Sequence, residues 1–134
     1  MAKSKPTVRL LLDAGPLIRL ERDPRSEVVS ASRKMLRGRT RMLVPSVVLA
    51  QVWRDDERQH ALRRLCAQCE HLPFSTDAAK RVGGLLKASD TTDVVDAAVV
   101  VAAIEHGAAV MTTDPDDLRR LIDAAGVDVP LIPV

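Results

Sequence analysis

Apolar residues fall into short blocks of two kinds that alternate along the chain. Val8-Arg-Leu-Leu-Leu12 is a compact apolar run that stops at Asp13, and Ala14-Gly15-Pro16 follows as a turn with proline placed to open a helix. From Ser26 the spacing of Val28, Val29, Met35 and Leu36 is helical, Gly38 stops it, and Arg41-Met-Leu-Val44 predicts a second strand. Pro45-Ser46 opens a helix through Val47, Val48, Leu49, Val52 and Trp53. A charged break at Arg54-Asp-Asp-Glu57 parts it from a helix over about Arg58 to Cys69. His71-Leu-Pro-Phe74 predicts a weak strand, and Ser75-Thr-Asp77 caps a helix through Leu86 that Gly83-Gly84 should loosen near its end.

Asp90-Thr-Thr-Asp93 leads into Val94 to Glu105, which is apolar around its circumference and therefore predicts a helix buried on most sides, closed by Gly107. Ala108-Ala-Val-Met-Thr112 is the next predicted strand. Pro115 to Ala125 is the last helix, with Gly126 as its stop, and Val129 to Ile132 a closing strand. Strands alternating with helices predict an α/β fold of three layers, a mainly parallel sheet flanked by helices, in a single domain over residues 1–134. Ligands of such sheets gather beyond the carboxyl ends of the strands.

Composition narrows what can bind there. Trp53 and Phe74 are the only aromatics, so the core is aliphatic and base stacking cannot be the main grip on a nucleic acid. The longest uninterrupted apolar stretch, Ala97 to Ile104, is far below the ~18 residues that span a bilayer, so no membrane segment is expected. The basic start Met1-Ala-Lys-Ser-Lys5 leads into too few apolar residues for a signal peptide, and a cytoplasmic location is expected. Cys66 and Cys69 form a lone C-x-x-C without a second pair, which reads as two small apolar residues on one helix face rather than a redox or zinc site.

The net charge of +2 hides an asymmetry: residues 1–81 carry +8 and residues 82–134 carry −6. A basic lobe beside an acidic centre suits a protein that holds a polyanion and concentrates divalent cations.

The acids sit where that division would matter. Asp13 ends the first strand and Asp114 follows Val110-Met-Thr-Thr113, so both project at one rim of the sheet. Asp96 interrupts the apolar segment, where an isolated carboxylate would cost several kcal/mol without compensation. A divalent cation, Mg²⁺ or Mn²⁺, would compensate it. Asp93 lies three residues earlier on the same helical face, and Asp116 and Asp117 open the last helix. Capping is the alternative for Asp90, Asp93, Asp114, Asp116 and Asp117; Asp13 and Asp96 resist that explanation best.

Leu12-Asp13-Ala-Gly-Pro-Leu-Ile18 resembles the opening strand of PIN-domain nucleases, the group that includes VapC-type toxins of VapBC toxin–antitoxin pairs. Asp96-Ala-Ala-Val-Val-Val-Ala-Ala-Ile-Glu-His-Gly107 and Val110-Met-Thr-Thr-Asp-Pro-Asp-Asp-Leu118 resemble the segments carrying that family's later acids. The resemblance implies Asp13, Asp96 and Asp114 as catalytic metal-site acids, Asp117 as a supporting acid, Thr112 as a hydroxyl near the site and Asp116 as a further neighbour. It implies Mg²⁺- or Mn²⁺-dependent endonucleolytic cleavage of RNA to 5′-phosphate and 3′-hydroxyl products, a VapB-like antitoxin and a homodimer.

Val44-Pro-Ser-Val-Val-Leu-Ala-Gln-Val-Trp53 is similar to the family's second motif, but Gln51 stands where a glutamate is usual. An amide keeps an oxygen ligand and loses the charge, so Asp93 is the natural candidate to supply it. Candidate phosphate contacts are Arg19, Arg22, Arg25, Lys34, Arg37, Arg39 and Arg41. Two other readings stand beside this one. A PIN domain weakened at Gln51 would serve as an RNA- or antitoxin-binding module. A phosphoacceptor receiver-like domain would need a lysine late in the chain, where none follows Lys87.

Overall fold

The computed structural model describes residues 8–23, 25, 26, 30, 34 and 38–134. The first strand, β1 (Val8–Leu12), is followed by helix α1 (Ala14–Arg22) and strand β2 (Thr40–Pro45). Most of the helix predicted between Ser26 and Gly38 falls outside the described residues, together with the candidate Arg37. The chain continues through α2 (Ser46–Val52), a 3₁₀ turn (Glu57–Gln59), α3 (His60–Cys66), β3 (Glu70–Leu72) and α4 (Thr76–Ser89). It ends with α5 (Val94–His106), β4 (Ala109–Thr112), α6 (Pro115–Ala125) and β5 (Leu131–Pro133).

The strands form one five-stranded sheet in the order β3-β2-β1-β4-β5, and every pairing is parallel. A parallel sheet is covered on both faces, which is why its strands read as continuous apolar runs rather than alternating ones. Leu10, Leu11 and Leu12 of β1 and Met42, Leu43 and Val44 of β2 are all buried. Helix α5 lies across β1, β2 and β4, with α4 and α6 beside it, while α1 packs with α2 and α3 and against β4. The result is the three-layer arrangement expected from the alternation. Ala97 through Val101 and Ala103 of α5 are buried, so the apolar circumference read from its sequence reflects a helix with the sheet on one side and helices on others.

Several boundaries differ from the sequence reading. β3 begins one residue earlier than expected and stops before Pro73, which lacks the N–H that would extend the ladder. β5 starts later, at Leu131, past Pro130, whose carbonyl accepts the Val110 N–H. α4, read through both glycines to Leu86, runs three residues further to Ser89, where Asp90 adopts a left-handed cap at φ 53°. The helix assigned over Arg58 to Cys69 is split into the 3₁₀ turn and α3, so Cys69 lies beyond the helix rather than on its face. Among the described residues no helix is long and apolar enough to cross a membrane.

Candidate metal centre

The sheet order reverses between β1 and β4: successive strands run outward to β2 and β3 on one side and to β5 on the other. The turns leaving β1 and β4 therefore part to opposite faces and open a crevice at the strands' carboxyl ends. Asp13 and Asp114 stand on those two turns.

Asp13 is 8% exposed and held at both carboxylate oxygens. Oδ1 accepts the Ala14 N–H at 2.8 Å, and Oδ2 accepts the hydroxyl of Thr112 at 2.8 Å. Asp13 thus also occupies the N-cap position of α1, a structural duty that the sequence alone did not assign to it. Thr112 is fully buried, and its Oγ1 in turn accepts the Asp114 N–H at 3.0 Å. One hydroxyl thereby links the last residue of β4 to the acid of β1 and fixes the backbone of the next acid. Asp114 occupies the N-cap position of α6 without a side-chain capping bond, so its exposed carboxylate is not spent on the helix as the capping alternative required.

From the other side come the N-termini of α5 and α6. Asp93 caps α5, its Oδ1 accepting the Asp96 N–H at 2.9 Å, which fulfils the capping alternative and also ties it to Asp96. Asp96 is half-buried, and its pKa is pushed up to about 6, first by burial and then by the negative charges of Asp93, Asp13, Asp117 and Asp114. Those four acids arrive from β1, the start of α5 and the start of α6, and they meet electrostatically on one carboxyl group. Asp117 is likewise held above the usual carboxylate range, chiefly by its hydrogen bond and charge contact with Asp114, with Asp93 and Asp116 adding to the effect.

The sequence-predicted acids thus converge as a field. Among the described residues no three His, Cys, Asp or Glu side chains are already gathered as a ready ligand set. The donor set is carboxylate and hydroxyl oxygen, and among the described residues the neighbouring charges that act most on Asp96 and Asp117 are all acids. Hard divalent ions such as Mg²⁺ and Mn²⁺ prefer oxygen donors and retain waters, so a centre of this chemistry suits them without a closed protein cage. Gln51 lies exposed on α2, and no hydrogen bond among the described residues joins it to the acids.

The basic candidates separate by position. Arg19 and Arg22 are exposed on α1, which leaves Asp13 directly. Arg25 and Lys34 are exposed as well. Arg39 and Arg41 lie at the opposite rim: the Arg39 carbonyl accepts the Val8 N–H, Arg41 pairs in register with Arg9, and its guanidinium is bound to Glu70. At ~3.3 Å per strand residue, that rim is ~15 Å from the acids. These two candidates therefore lie away from the acids, whereas Arg19 and Arg22 lie on the helix that leaves Asp13.

Two features escaped the sequence reading. An ideal Cβ on Gly15 would come within 1.9 Å of Thr113 Oγ1, so α1 starts almost in contact with the end of β4, and only a residue without a side chain fits there. This contact joins the two sides of the crevice; the sequence reading took Gly15 as part of a turn, whereas it lies in the first turn of α1 against Thr113. Gln59 is buried, accepting the Arg54 N–H and donating to the Val52 carbonyl, and it fixes the charged break rather than the site. Burial pushes the Cys69 thiol up to about 12 and raises Cys66 as well, which leaves both unreactive, as the apolar reading implied. Trp53 is half-buried against the core and lines a groove with Leu49, Cys66 and His71.

A search of curated protein sequences gave no match. Among solved structures the chain is similar to VapBC2 from Rickettsia felis bound to a promoter DNA fragment, with a TM-score of 0.75, 14% identity and 95% of this chain and 99% of that chain covered. It is also similar to VapBC-1 from nontypeable Haemophilus influenzae, with a TM-score of 0.69, 14% identity and 94% and 98% covered. A toxin–antitoxin complex from Klebsiella pneumoniae gives a TM-score of 0.64 at 20% identity, with 81% and 88% covered. At these identities the likeness is one of fold. The sequence profile of the PIN domain matches residues 10–123, a stretch that includes Asp13, Asp96, Asp114 and Asp117, and the chain belongs to the PIN domain family.

Proposed function

We propose that the protein is an endoribonuclease dependent on Mg²⁺ or Mn²⁺, acting in the cytoplasm as the toxin of a VapBC-type pair. The observation that carries this reading is the convergence of Asp13, Asp93, Asp114 and Asp117 on Asp96 at the point where the strand order reverses. Carboxylates that raise one another's pKa are destabilised as anions, and a divalent ion relieves that repulsion. Such an ion supplies activation of water and stabilisation of charge on the phosphodiester oxygens.

The chain's own residues supply position. Asp13 is immobilised by Ala14 N–H and the Thr112 hydroxyl, so it presents its oxygens in one orientation. Asp96, Asp114 and Asp117 would complete the acidic set, with Asp116 adding to the field and Gln51 offering a neutral oxygen. Asp93 would replace the charge absent at Gln51; its hydrogen bond to the Asp96 backbone keeps it beside that carboxylate. Backbone charge and RNA shape, rather than stacking, would hold the substrate. The VapBC fold likeness supports a VapB-like antitoxin as partner; a homodimer is implied by the family resemblance alone.

The test is incubation of the purified protein with total cellular RNA, with Mn²⁺ or with EDTA, alongside Asp13→Ala and Asp96→Ala. Metal-dependent cleavage that both substitutions abolish is expected. Cleavage that survives EDTA or both substitutions overturns the metallonuclease reading. One observation favours a second reading: Gln51 leaves the site one formal charge short of its family, which fits a PIN domain that binds RNA or antitoxin with little turnover. In that case RNA binds and no cleavage follows at any metal concentration.

A further inference from the structure

A groove of about 320 Å³ runs along α1 beside the acidic centre, lined by Gly15, Ile18, Arg19, Arg22, Asp23 and Thr113. Gly15, Ile18, Arg19 and Arg22 are spaced at three, four and seven residues, so they share one helical face ~10 Å long. The floor is where Gly15 and Thr113 nearly touch. Its inner end is therefore set by Gly15, two residues past Asp13, and by Thr113, next to Asp114, and its outer end by the two arginines.

Several arginines elsewhere are already engaged. Arg41, Arg58 and Arg81 are paired with Glu70, Asp56 and Glu105, and Arg9, Arg54 and Arg63 donate to backbone carbonyls. Among the described residues the guanidinium groups of Arg19 and Arg22 have no hydrogen-bond or ion-pair partner, although both line the same groove. Asp23, the single acid of the lining, accepts the Arg25 N–H with its Oδ1. Two cations without a hydrogen-bond or ion-pair partner among the described residues, offset by the single acid Asp23, thus stand at one end of a groove whose other end is the carboxylate centre. That separation of charge matches a strand whose scissile phosphate is neutralised at the metal centre and whose neighbouring phosphate needs protein cations. Ile18, 37% exposed between them, offers an apolar face to the intervening sugar.

We propose that this groove seats the nucleotide next to the cleaved bond of a single-stranded RNA, with its phosphate held by Arg19 and Arg22. The inference rests on the endoribonuclease reading for its orientation, but its binding step needs neither metal nor turnover. Affinity for a fluorescent single-stranded oligoribonucleotide is measured in EDTA by anisotropy over a range of salt concentrations, for the intact protein, Arg19→Gln, Arg22→Gln and the double variant. Arg9→Gln at the opposite rim is the control.

Each groove substitution is expected to lower the magnitude of the slope of log K against log salt by about 0.7 and to weaken binding about fivefold near 0.1 M salt. The losses should multiply in the double variant, and Arg9→Gln should bind as the intact protein does. With Mn²⁺ present, KM should rise while kcat changes little. Unchanged affinity and slope in the double variant, with melting temperature preserved, overturns the groove as an RNA subsite even if EDTA-sensitive cleavage persists. Reduced affinity and slope without any cleavage by the intact protein supports the subsite and removes the endonuclease reading. Unaltered RNA binding combined with loss of a co-expressed antitoxin assigns the groove to a protein partner and overturns the proposal.

Discussion

Thr112 is a small residue with a large share in the site, because its buried hydroxyl donates to Asp13 and accepts from the Asp114 backbone. Thr112→Val keeps the volume and strands both partners, so a loss of about 1–3 kcal/mol is expected in chemical denaturation, and Thr112→Ser should recover much of it. Gly15 is constrained from the other side. Gly15→Ala places a methyl into Thr113 and should cost about 1–3 kcal/mol, of which Gly15→Ala/Thr113→Ala recovers more than half; additive losses would show that the contact is not the cause. Asp93→Asn keeps a cap acceptor for the Asp96 N–H while removing the charge. If Asp93 replaces the acid missing at Gln51, this variant should weaken Mn²⁺ binding about tenfold by calorimetry, and unchanged affinity would count against it. At this scale the sequence was informative about Asp13 and Asp96, whose carboxylates interrupt apolar runs. It was silent on Gly15–Thr113, because a contact between residues so far apart in the chain leaves no local pattern.

At the scale of elements, apolar runs and terminators located strands and helices well where one local rule dominated. Pro115 and Gly126 bracket α6 as read from the sequence, with Gly126 in the left-handed conformation that ends it. The reading fell short where tertiary packing outweighed propensity, as in α4, whose end is not loosened by Gly83 and Gly84 but runs on to Ser89, with Val82 and Leu85 on either side of the glycines buried in the core. Both glycines are exposed, and nothing lies within 4 Å of a Cβ built on either. Gly84→Ala should therefore raise stability by about 0.5–1 kcal/mol, seen as a melting temperature higher by about 2–4 °C. Sequence reading also spread the candidate phosphate contacts over seven cations from Arg19 to Arg41. Parallel register sorts them, since Arg39 and Arg41 begin a strand while the acids follow strand ends.

For the whole molecule, the acidic centre makes stability depend on pH in a definite direction. Asp96 titrates near 6 rather than at its ordinary 3.8, so the folded state binds the proton more tightly than the unfolded state. Its contribution is therefore most favourable at low pH and is lost as pH rises through about 6. Without divalent ions, Asp96→Asn should raise the melting temperature at about pH 7.5 by about 3 °C, corresponding to roughly 1 kcal/mol after allowance for the exposed part of the group; the gain should fall to about half at about pH 5 and become small only below the ordinary carboxylate value of 3.8. Mn²⁺ should stabilise the native protein at the higher pH and lose its effect below about 6, because the ion must displace the Asp96 proton. The hydrogen bond from Thr112 to Asp13 closes over 99 residues, and Asp117 enters the centre from further along still. A chain emerging from the ribosome therefore carries Asp13 from early in synthesis, yet has no acidic centre until α6 has been made and β4 has docked beside β1. Whatever activity the centre has is therefore available only to a nearly finished fold.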